Sequence, residues 1–128
     1  MSRMKAKKQS IKQEIERLKK ECTRLTKEGN QFWKDRPCPV SETARRAQFD
    51  KLDHFGRQVA YRRIAILRLQ LELLPREGTK RQTTRKQALR WEIWHRGMVL
   101  YVQNAGRHPG PEPKLPPGHS ARTGRYER

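Results

Sequence analysis

Seven cations, Arg76, Lys80, Arg81, Arg85, Lys86, Arg90 and Arg96, fall in a stretch with two acids, Glu77 and Glu92, and close up on Trp91 and Trp94. A guanidinium fork grips phosphate bidentately and stacks on bases, and an indole gives an unpaired base a flat partner. The pattern suits recognition of a polyanion carrying exposed aromatic rings, which is nucleic acid. On a helix, Arg81, Arg85 and Arg96 line one edge of the apolar stripe and Lys86 and Arg90 the other. A chain this small needs large aromatic side chains inside, so Trp91 and Trp94 are expected to be core anchors framed by working cations.

The same charge extends over the rest of the chain. There are 31 Lys and Arg against 13 Asp and Glu, a formal net charge of +18, and 19 of the cations are Arg. Such an excess is costly in self-repulsion and implies a polyanionic partner. Arg45, Arg46, Arg62 and Arg63 join the candidate nucleic-acid-binding set on the second helical segment, which also carries Arg57 and Arg68. Arg62 falls on an apolar stripe, where its stem is expected to snorkel outward. Lys5, Lys7 and Lys8, with Arg3, form a basic arm over residues 1–9. Arg107, Lys114, Arg122, Arg125 and Arg128 stud the tail, and both extensions are expected to gain order on phosphates.

No other chemistry converges. His54, His95, His108 and His119 are scattered, and His54 and His95 read as surface or satisfied helix residues rather than general bases. Asp50 and Asp53 could hold a metal but are expected to balance Arg45, Arg46 and Arg57 across helical turns. Cys22 and Cys38 lack zinc spacing and a disulfide framework, and there is no phosphate-cradling glycine loop. An enzyme, a metal, a cofactor and a small-molecule substrate are therefore not expected. No secretory leader or membrane-spanning apolar run is visible, so the expected location is intracellular, in cytoplasm or with the genome, an organelle not being excluded.

Three amphipathic segments must position these side chains, giving an all-α fold. Helices are predicted at about 10–33, 41–74 and 79–104, in a single domain spanning 10–105. Ser10 with Gln13 and Thr79 with Gln82 have capping-box spacing, Ser41 is an N-cap, and Pro37, Pro39, Pro75 and Gly78 break the chain between helices. Ile11, Ile15, Leu18, Cys22, Leu25 and Phe32 alternate four and three apart, a coiled-coil seam that Gly29 weakens. The seam suits the chain's own second helix, or a second copy in a parallel coil with Glu14 reaching Lys19 of the partner. The second helix carries two stripes: Leu52, Phe55, Val59, Ile66, Leu69 and Leu73, then Ala60, Ile64, Leu67, Leu71 and Leu74. Two apolar sides make it central. Trp91, Trp94, Met98, Tyr101 and Ala105 mark the core face of the third. Residues 106–128, with five prolines and four glycines, read as a flexible basic tail.

The function expected is non-enzymatic nucleic-acid binding, RNA ahead of duplex DNA, in a structural or accessory subunit of a nucleoprotein complex, as a homo-oligomer or within a larger assembly. The alternative is a coiled-coil module that docks on an acidic protein. Membrane-surface binding through Met98 to Val102 is a more remote third class.

Overall fold

The structure, a computed structural model, describes residues 3–35 and 41–115. It is all-helical: α1 spans Arg3–Lys34, α2 Glu42–Leu73 and α3 Lys80–Val102. The two later helices start where their caps predict. The Ser41 side chain accepts the Ala44 N–H at 3.1 Å. Thr79 and Gln82 form a complete capping box, with Gln82 N to Thr79 Oγ1 at 3.2 Å and Thr79 N to Gln82 Oε1 at 2.8 Å. Ser10 caps nothing. Residues 3–9 are helical because RMKAKKQ contains only good helix formers, so the expected free arm is the first two turns of α1.

α1 runs antiparallel to α2. Phe32 meets Phe55 with ring centroids 6.2 Å apart, the Cys22 thiol donates weakly to Val59 O at 3.9 Å, and Ile15 and Leu18 pack with Ile66, flanked by Ile11, Leu69 and Leu73. The seam is thus satisfied within the chain, Ile15, Leu18 and Leu25 being buried and Ile11, Cys22 and Phe32 half-buried. Gly29, the weak point of the seam, faces Phe55, whose Cβ would lie 3.4 Å from an added Cβ, an ordinary contact. The acids of α1 serve its own cations, in Arg17–Glu14, Arg17–Glu21, Lys19–Glu16 and Arg24–Glu28. The hydrogen bond from Arg17 holds the Glu14 carboxyl below the usual carboxylate range.

α3 packs antiparallel on the other side of α2, and no Cα of α1 lies within 8 Å of one of α3. The result is an open layer of three helices with α2 in the middle, as its two stripes require. The α3 register differs from expectation. Its packing face is Leu89, Ile93 and Leu100, with Leu89 only 1% exposed. Trp91 and Trp94 lie roughly 140–160° around the helix from Leu89 and are half-buried, and Tyr101 is exposed. The expected core anchors stand off the main packing face, Trp91 half-buried with its Nε1 out of solvent and Trp94 half-buried beneath the chain that follows α3.

The chain after α3 also departs from the flexible tail. Asn104, at φ 58°, ends the helix in a left-handed turn, with Asn104 N to Tyr101 O at 3.0 Å and Ala105 N to Leu100 O at 2.8 Å, a Schellman closure. Residues 106–115 then fold back as a strap. Tyr61 Oη donates to Ala105 O at 2.5 Å, Trp94 Nε1 donates to Gly110 O at 3.0 Å, and His108 meets Tyr101 edge-on at 4.8 Å. Proline rings with fixed φ lose little entropy on docking, so a segment with Leu115 as its one large apolar residue can still pack. The sites expected at Arg122, Arg125 and Arg128, and His119, lie outside the described residues, as does Cys38.

Candidate nucleic-acid interface

The antiparallel order brings two of the predicted basic segments to one end of the molecule. Residues 3–10 of α1 are exposed, span roughly 12 Å and lie at the end of the molecule where α2 finishes. The loop after α2 and the first turns of α3 sit at that same end. Lys5, Lys7 and Lys8 therefore share a pole with Arg76, Lys80 and Arg81, all exposed. The N-terminus of α3 adds the positive end of its peptide dipoles. Among the described residues, no carboxylate lies within 4.0 Å of Arg76, Lys80, Arg81, Arg85 or Arg90, whereas four of the seven ion pairs lie inside α1. Arg17, Lys19 and Arg24 of α1 have carboxylate partners on their own helix, and the cations of the α3 entry have none among the described residues.

Not every predicted cation belongs to this surface. Lys86 is half-buried and its Nζ donates to Arg76 O at 2.9 Å, tying down the loop before α3. Arg96 is paired with Glu92 at 3.2 Å. Arg62 is half-buried and partnered rather than freely solvated: its Nη1 donates to Gln58 O at 3.0 Å and Gln58 Oε1 at 2.9 Å, and its Nε lies 3.4 Å from Glu21 Oε2. It is a crosslink between α1 and α2. Arg45 and Arg46 are exposed at the opposite end, with Arg46 lying 3.8 Å from Glu42. Arg63 is exposed on α2 without a carboxylate within 4.0 Å. Asp50 and Asp53 form no ion pair among the described residues, against the expected balance with arginine, and no group of three metal-ligating side chains is found among them.

Two grooves flank the line where α2 meets α3. The strap roofs one of them, of about 600 Å³, in which Arg68, Arg90 and Arg107 surround Trp94. The other, about 1020 Å³, is open and brings Arg57, Arg85 and Arg96 together around Trp91 and His95. There the Trp91 and His95 rings are parallel within 8°, with centroids 5.0 Å apart. The sequence reading placed Arg57 and His95 outside the site. Their signals were present: His95 stands one helical turn after Trp91, and Arg57 shares the α3-facing side of α2 with Ala60.

No helix among the described residues is long and apolar enough to cross a membrane. Comparison with known proteins gives no match, whether by protein-family model, curated protein or solved structure.

Proposed function

We propose that this chain is a non-enzymatic nucleic-acid-binding protein, directed to RNA before duplex DNA, that serves as a structural or accessory subunit of a nucleoprotein complex. The observation that carries the reading is the charge at the α3 entry, where Arg76, Lys80 and Arg81 have no carboxylate within 4.0 Å among the described residues, at the same end of the molecule as Lys5, Lys7 and Lys8 of α1. Clustered cations without a carboxylate are a cost in the free protein, which phosphate would remove. Arg85 and Arg90 extend the charge along both edges of α3 toward the two grooves.

The competing reading, a coiled-coil module for an acidic protein, relies on a seam whose residues already pack on α2, and no observation favours it. The test is the affinity of the nuclease-treated protein for RNA and DNA over a salt series. Binding by six to ten phosphate contacts weakens by roughly 10³–10⁵ between 50 and 200 mM salt. Replacing Arg81, Arg85 and Arg90 together with Gln should leave helicity intact, weaken binding across sequences and flatten the salt slope by roughly 2–3. Unchanged affinity would move the contact to the α1 arm or to α2, and absence of binding by the unmodified chain would end the reading.

A further inference from the structure

We propose that the open groove between α2 and α3 is a site for an unpaired base, with Trp91 and His95 as its stacking platform and Arg57 and Arg85 as its phosphate contacts. The inference rests on the nucleic-acid reading and deepens it, from phosphate attraction to a preference for unpaired strands.

The geometry has the parts such a site needs. Trp91 and His95 already form a parallel two-ring stack, and His95 is exposed, so a third ring can continue it. The groove runs beside this stack and is lined by Gly56, Ala60 and Ala88, with open space where a Gly56 Cβ would point. Small side chains there leave room for a planar group. Arg57 and Arg85, on facing helices, have no carboxylate within 4.0 Å among the described residues, while Arg96 is occupied by Glu92. Phosphates are thus directed to the Arg57 and Arg85 edges. The remaining groove carboxylate, Asp53, repels a phosphate and can accept a hydrogen bond from a base amino group. A base with its backbone at the rim satisfies each of these groups. A duplex does not, because its internal bases are stacked on both faces and paired along the edges a base site would read.

The experiment measures full-chain affinity for an oligouridine and for a blunt RNA duplex of matching length, at one salt concentration, with His95→Ala and His95→Phe variants. Loss of a stacking partner costs about 5- to 100-fold per base. The expected result is a loss of that size for His95→Ala on oligouridine, recovery in His95→Phe, and duplex affinity unchanged. Because His95 is exposed, circular dichroism of the variants should match the parent chain. Equal loss on both ligands, or no loss on oligouridine, overturns the base site while leaving phosphate binding standing. If the unmodified chain binds neither ligand, the nucleic-acid reading fails and the base site with it.

Discussion

Arg62 sits on an apolar stripe of α2, where a guanidinium must either reach water or find partners. It finds them in Gln58 and Glu21, with three-quarters of its side chain covered at 25% exposure. Glu21 also accepts from Arg17, so the trio ties α1 to α2 halfway along the hairpin. Arg62→Gln is expected to lower stability by about 1 kcal/mol, since Glu21 keeps Arg17 as a partner, and to change RNA affinity far less than the loss of Arg81 does. Thermal melts and salt titrations of the two variants check this; a larger effect of Arg62→Gln on binding would return it to the interface. Sequence could flag the cation but not its task, because Arg on a stripe is compatible with snorkelling, pairing or ligand contact. Lys86 makes the same point: its helical position implied an exposed edge, and only the fold of the preceding loop puts the Arg76 carbonyl beside it.

At the scale of elements, local signals were readable where their chemistry is local. Ser41, the Thr79–Gln82 box and the breaks at Pro75 and Gly78 set the limits of α2 and α3 within a residue or two. The α3 packing face was misread because its aromatic residues outweigh Leu89, Ile93 and Leu100 in any apolar pattern, although aliphatic side chains fit better against the close-packed α2. The strap explains part of the shift: it covers Trp94, giving the indole N–H a partner that a core position would not. Its seat depends on Gly97, where an added Cβ would stand 3.1 Å from Pro109 Cβ, tighter than a normal contact. Gly97→Leu should therefore lift the strap. Amide exchange over residues 106–115 is expected to rise, Trp emission to move to longer wavelength, and α-helical content to persist. Protection as in the parent chain would mean that the Tyr61 and Trp94 hydrogen bonds hold the strap without this contact.

For the whole molecule, the all-α class and the central place of α2 follow from two stripes on one long helix. The placement of α1 did not, because a periodic seam specifies the face to be buried and not the surface that buries it. Its folding back decides the charge distribution, since an antiparallel α1 delivers Lys5, Lys7 and Lys8 to the pole where α3 begins. Helices in contact lie 8–10 Å apart, so the arm and the α3 entry, separated by the width of α2, are on the order of 16–20 Å from each other. That separation is inside the screening length at 0.01 M salt, about 30 Å, and outside it at 0.1 M, about 10 Å. Repulsion across the pole should consequently destabilise the free protein at low salt and fade as salt is added. The melting temperature of the nuclease-treated chain is expected to rise by on the order of a few degrees between 0.01 and 0.5 M NaCl, over the range in which RNA affinity falls. Adding RNA at 0.01 M salt should raise it further, because a ligand that binds only the folded state stabilises it by mass action. A melting temperature indifferent to salt would mean that the net charge of +18 does not strain the fold, and would remove the argument that phosphate relieves a cost built into the free protein.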